Sequence, residues 1–148
     1  MAELKSGTTI DGNLAYHKGN HTNEIHLPMR MGTFSTTSES YVEVDGSEIL
    51  WSPANFKVKS TINPVGFEVY FEAIRKTNGG TVYVELYNKT DSQQIAQLST
   101  TATDWVRGTM QITSMMPTAE KTLVVRIRVS SASYLGVIRT ARIILTSV

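Results

Sequence analysis

No cysteine occurs among the 148 residues, so neither a disulfide framework nor a thiolate metal site is open to this chain, and packing must hold it together. No stretch approaches the roughly 20 consecutive apolar residues that span a bilayer, and Met1 to Asn20 lack the apolar core of a signal peptide. Neither a membrane partner nor export by that route is predicted. Charge is also scarce: Asp, Glu, Lys and Arg make up 18% of the residues and the net charge is +1, which speaks against nucleic acid as a partner. No window of a dozen residues keeps a 3.6-residue apolar period, so a helical body is excluded.

What is present favours strands. Ser and Thr supply 33 residues, and the apolar set leans on Val and Ile, which suit a pleated, half-buried surface. In "TLVVRIRVS", Leu123, Val125, Ile127 and Val129 point one way and Arg126 and Arg128 the other. Phe67, Val69, Phe71 and Ala73 alternate in the same manner with Glu68, Tyr70 and Glu72, and Val82, Val84 and Leu86 with Tyr83, Glu85 and Tyr87. "TNGG" between these two runs predicts an antiparallel hairpin. Further strands are predicted at about Ser40 to Val44, Ala54 to Ser60, Gln94 to Leu98, Trp105 to Ile112 and Val137 to Leu145. The prediction is an all-β fold: an antiparallel β-sandwich of jelly-roll type with about eight strands and an extended N-terminal segment.

From Met1 to about Glu39 the alternation fails, and "GTFSTTSES" has a linker's composition. Residues 1–39 are therefore predicted to be extended or ordered by an oligomer, and residues 40–148 to form the sandwich. A chain beginning at residue 40 is expected to fold on its own.

Candidate chemistry is thin. His17 and His21, four apart with His26 near, would share a helix face suited to zinc, but Gly19 and Asn20 disfavour that helix, and no metal is predicted. There is no Gly-x-Ser-x-Gly, no phosphate-binding glycine loop and no His-Glu-x-x-His, so no catalytic residue, no cofactor and no enzyme are predicted. Glu68, Glu72 and Glu85 would face one another across the hairpin as a glycosidase pair does. Wet-face glutamates paired with Arg107, Arg126, Arg128, Arg139 and Arg142 explain them as well. Asp45 to Ser47 and Asn88 to Asp91 are oxygen-rich turns of a kind that calcium uses, and ordinary turn chemistry also accounts for them. Tyr70, Tyr83, Tyr87 and Trp105 alternate away from the apolar positions and are the candidate ligand-binding residues, stacking on sugar rings. Cross-strand packing or burial in a subunit interface is the competing role for them.

Two resemblances add to this reading. "TTIDGNLAYHKGN", through Ile10, Asp11, Gly12, Asn13, Ala15, His17, Gly19 and Asn20, resembles short elements that precede distal domains in tail fibre and receptor-binding proteins of tailed bacteriophages. From Tyr41 to Leu145, the order of an aromatic strand, "TNGG", a Thr-rich loop, Trp105 opening a strand and a last Val/Ile-rich strand is similar to jelly-roll, carbohydrate-binding-like modules of virion and bacterial surface proteins. The resemblances imply a non-enzymatic virion protein exposed on the particle at its tail, a homo-oligomer with a trimer favoured. Its implied partners are other virion proteins and host cell-wall polysaccharide. The alternatives are a purely structural capsid decoration or tail subunit, and a carbohydrate-binding module detached from a hydrolase.

Overall fold

In a computed structural model, residues 9–10, 13–14, 24–56, 62–75 and 80–147 are described. Near the N-terminus, β1 (Thr9–Ile10) and β2 (Asn13–Leu14) form a small antiparallel ribbon. The remaining strands are β3 (Glu24–Thr36), β4 (Val42–Glu43), β5 (Ile49–Trp51), β6 (Ile62–Arg75), β7 (Val82–Asn88), β8 (Gln93–Thr100), β9 (Val106–Gln111), β10 (Lys121–Val129) and β11 (Tyr134–Ser147). They build two antiparallel sheets, one ordered β4-β10-β7-β8 with β5 also on β10, the other ordered β3-β11-β6-β9. Among the described residues the only helical element is a 3-10 turn, Pro53–Phe56, and no helix is long and apolar enough to cross a membrane. The all-β sandwich read from the alternation is the observed fold.

The core lies between the sheets. Phe67, Val69, Phe71 and Ala73 from β6 meet Val82, Val84 and Leu86 from β7, with Leu123, Val125, Ile127 and Val129 of β10 and Ile138 and Ile143 of β11 closing the layer. Each Val, Leu, Ile or Phe side chain among them, moved from water into this layer, stabilises the fold by about 1.5–3 kcal/mol. The sheets approach closely at Gly136, where an added Cβ would sit 2.9 Å from Val129 Cγ1 and 3.1 Å from Val82 Cγ1.

Two expectations are corrected. The predicted hairpin of β6 and β7 does not exist: β6 pairs with β11 and β9, while β7 pairs with β10 and β8, so the connection crosses from one sheet to the other. Both arrangements give each strand one dry face, and alternation alone cannot distinguish them. The direct hairpin is β7–β8, turning through Lys89 to Ser92, with Ser92 at φ 54°.

The sandwich also begins earlier than residue 40. β3 pairs with β11 from Thr36↔Gly136 to Glu24↔Thr146, buries Met29 and packs Leu27 and Phe34 against the core. Its register shifts twice, once about Gly32 at φ +95° and once at Met29, and each shift breaks the two-residue period a reader relies on. Arg30 fastens β3 to the β4–β5 turn by donating Nη1 to Asp45 O at 2.6 Å, Nε to Gly32 O at 3.0 Å and Nη2 to Thr33 O at 2.9 Å. The strand predicted at Ala54 to Ser60 begins instead in the 3-10 turn, and residues 57–61 lie outside the described residues.

Candidate functional site

The four candidate aromatics divide between the two outer faces of the sandwich. On the five-stranded sheet, Tyr83, Glu85 and Tyr87 point outward from β7, with Arg128 opposite Tyr83 and Arg126 opposite Glu85. The Arg126 guanidinium lies 3.4 Å from the Tyr87 ring centre and Arg128 3.9 Å from that of Tyr83, while both lie 5.1 Å from the Tyr41 ring. Glu85 is 1% exposed and forms an ion pair with Arg126. Burial pushes the Glu85 carboxyl up, with the Arg126 hydrogen bond opposing it. Gln97 Nε2 donates to Tyr41 Oη at 2.5 Å and extends the network to β8. A sugar stacking on Tyr83 or Tyr87 would have to displace a guanidinium, at a loss of about 1–2 kcal/mol for each cation–π contact. This face is satisfied by its own residues.

The four-stranded sheet is different. Tyr70 of β6 lies opposite Arg107 of β9; beyond the last registered pair, Phe71 and Val106, the ladder breaks, with Ala73 N donating to Ala102 O at 2.8 Å and Trp105 following a bend at Thr103 and Asp104. The Tyr70 and Trp105 rings stack with centres 5.2 Å apart and planes at 26°. Arg139 occupies a bulge of β11, where neither β3 nor β6 offers it a partner residue, and its guanidinium lies 5.2 Å from the Trp105 ring. Next along, Arg142 donates Nε to Glu68 Oε1 at 2.8 Å and Nη2 to the same oxygen, so Arg107, 3.7 Å from that oxygen and 65% exposed, is held only loosely. Arginine pairing with Glu68 and Glu85 follows the sequence expectation.

Glu72 departs from it. It is 9% exposed, and no described residue hydrogen-bonds or ion-pairs with its carboxylate. Desolvation, then the negative charge of Asp104, hold its pKa above the ordinary 4.5, with Arg139 opposing them. Because Glu72 lies on the outer face, side chains of that face cover it, and not the second sheet. A carboxylate so placed, beside an aromatic stack and two exposed guanidiniums, is equipped to accept hydrogen bonds from a ligand.

Other predicted sites resolve otherwise. Glu68 and Glu72 lie on one outer face and Glu85 on the other, with the core between, so the three do not form a glycosidase pair. His17 and His21 fall outside the described residues, and His26 on β3 bonds to exposed Glu24. Among the described residues, no three His, Asp or Glu side chains gather as metal ligands. In the Asp45–Ser47 turn, the Asp45 carbonyl accepts from Arg30 and Ser47 Oγ bonds Val125. In the second turn Asp91 accepts from Lys121 Nζ at 2.8 Å and Asn88 Nδ2 at 2.8 Å, contacts that hold its pKa down. A cleft of about 320 Å³ beside that turn is lined by Asn88, Asp91, Gln93, Met115, Pro117 and Lys121. A second, of about 230 Å³, is lined by His26, Pro28, Met31, Thr140 and Arg142. Sequence reasoning grouped Glu72 with the paired glutamates and gave Arg139 no distinct place, because the bulge that presents Arg139 is visible only in the pairing.

No family model matches the chain, and no curated protein matches it in sequence. Solved structures match it in fold. The CBM36-1 domain of a multidomain xylanase from the hindgut metagenome of Trinervitermes trinervoides is 8% identical, with a TM-score of 0.50, over 82% of this chain and 96% of that domain. A structure of infectious bursal disease virus, Gx strain, is 12% identical with a TM-score of 0.49, over 97% of this chain and 36% of the viral one. The chain thus spans about a third of that viral chain's length. A Bacillus endospore appendage pilus is 9% identical with a TM-score of 0.35, over 92% of this chain and 98% of that one. At 8% identity, the likeness to the xylanase's domain is one of fold alone: a sandwich of two antiparallel sheets.

Proposed function

We propose that the chain is a non-catalytic adhesion module, carried on a virion appendage, that holds a host-surface glycan against Tyr70 and Trp105. The observation that carries this reading is the Tyr70–Trp105 stack, flanked by Arg107, Arg139 and an unpartnered Glu72. Flat rings bind the apolar face of a sugar, and charged neighbours bind its hydroxyls, with no group required to react. The fold likeness to a carbohydrate-binding domain supports the glycan, and the likeness of residues 8–20 to phage fibre elements supports the particle, its tail and a trimer. Three such sites on one tip would raise avidity by about 10²–10⁴ over a single weak site.

The test is sedimentation of the purified protein with host cell-wall fractions, with heat-denatured protein as the control. Wild type is expected to co-sediment, and Trp105→Ala to lose at least about tenfold in retention while keeping its fold, since aromatic contacts dominate such sites. Retention no greater than the control sinks the proposal.

One observation favours a second reading, a structural particle subunit. β3 is a thirteen-residue edge strand that exposes Met31 (77%) and Ile25, a surface suited to a neighbouring subunit. Light scattering of wild type and Met31→Lys decides it: an oligomer that dissociates on this change, in a protein that binds no wall fraction, replaces adhesion with assembly.

A further inference from the structure

The proposed glycan site also carries information on the chemistry of its ligand, and this inference rests on that reading. Six ionisable side chains surround the Tyr70–Trp105 stack. Among the described residues, Arg107, Arg139 and Arg142 supply three positive charges and Glu68, Glu72 and Asp104 three negative, so their charges balance. These charges are not equally engaged. Glu68 is taken by two arginines, Arg139 is exposed beside Trp105, and Glu72 is covered with no hydrogen-bond donor among the described residues.

A covered carboxylate without a donor is less favourable than one that is hydrogen-bonded, and the more so when charged. Its natural complement is a ligand that brings donors. An anionic ligand is a poor complement, because a second negative charge at Trp105 would face Glu72 and Asp104, which already repel one another. A sugar ring lying on Trp105 presents hydroxyls at its rim toward Glu72, since Arg139 lies 5.2 Å from the Trp105 ring and its charge also acts on the Glu72 carboxylate. A carboxylate has about four acceptor positions, enough for two neighbouring hydroxyls together.

We infer that the Tyr70–Trp105 site takes a neutral, hydroxyl-rich sugar ring, and that Glu72 accepts hydrogen bonds from two of its hydroxyls while Arg139 donates from the opposite side. Glu72 is then the specificity-determining residue of the site. The stack supplies affinity for any ring; the carboxylate selects rings that donate.

Calorimetric titration of the full chain tests this with neutral oligosaccharides of glucose, galactose and mannose, and with oligogalacturonate as the anionic counterpart. Wild type is expected to bind at least one neutral probe and not oligogalacturonate. Glu72→Gln, which keeps the shape and removes the charge, is expected to weaken that binding about tenfold, the size of one charge-assisted hydrogen bond. Its unfolding midpoint should stay at or above that of wild type, which separates a lost ligand contact from a lost fold. Neutral binding unchanged by Glu72→Gln overturns the role of Glu72. Preference for oligogalacturonate overturns the neutral class, and both of these results leave adhesion standing. Failure of every probe, together with no retention on wall fractions, overturns adhesion itself.

Discussion

The two outer faces of the sandwich use similar residues to opposite ends. On the five-stranded sheet, tyrosines, arginines and a glutamate interlock: Arg126 joins Glu85, Tyr87 and Tyr41, and Arg128 joins Tyr83 and Tyr41. On the four-stranded sheet, Tyr70 stacks on Trp105, Arg139 stands in a bulge and Glu72 is left without a donor among the described residues. The difference lies in register. Opposite Glu85, β10 places Arg126; opposite Glu72, β11 places Val137, and the arginine that could have paired is displaced along the strand by the bulge. An aromatic on a wet sheet face thus shows nothing of its role until the residue across from it is known.

The largest effect that would break this comparison comes from removing the sheet beneath the second face. A chain beginning at residue 40 loses β3, with Met29, the packing of Leu27 and Phe34, and the Arg30 clasp. It is expected to show no cooperative unfolding transition on heating. A sharp transition there would mean that β11 and β6 hold the face unaided.

Next in size is Glu85→Ala. With its partner gone, Arg126 is left half-covered among tyrosines, and the expected loss is about 3 kcal/mol, near the low end for a broken buried pair because Arg126 retains some solvent contact. Urea unfolding measures it. Glu72→Ala on the other face should lose far less, since no partner is stranded; equal losses would show that Glu72 is held by its fold and not kept for a ligand.

The smallest effect is one of pH. The folded-state pKa of Glu72 is raised above 4.5, chiefly by desolvation and secondly by Asp104, so the folded protein holds this proton more tightly than the unfolded chain. The resulting stability is fully present below 4.5 and is lost as pH rises through the raised value. Glu85, raised by burial, acts with the same sign, and Asp91, lowered by Lys121 and Asn88, with the opposite one, so the whole-protein curve mixes all three. The difference between wild type and Glu72→Gln isolates Glu72. Midpoints measured from pH 7 to pH 4 should move in favour of wild type as pH falls; a constant difference would place Glu72 in an ordinary solvated setting.

How much of this was legible follows the same physics. β10 announces itself, because Leu123, Val125, Ile127 and Val129 stay in phase along an uninterrupted ladder with β7. β3 does not: it is an edge strand, carries Pro28 and Gly32, and changes register twice, so its inward residues are never two apart for long. β6 and β7 were legible as strands but not as members of different sheets, since a crossing and a hairpin print the same alternation. At the site, the outward direction of Tyr70, Tyr83, Tyr87 and Trp105 could be read locally. Which rings lie under guanidiniums could not, because Arg126 and Arg128 reach Tyr87 and Tyr83 from about 40 positions away.

The pairing of Glu24 with Thr146 has a consequence for how the polypeptide can be rewired. The strand that opens the sandwich and the strand that ends it lie side by side at one corner, within reach of a few glycines. Joining Glu24 to Thr146 would close the two-sheet body into a ring, and fresh termini could be cut at the Lys89–Ser92 turn with every ladder of the two sheets intact. A circular permutant of that design would carry the same two faces from a different point of attachment.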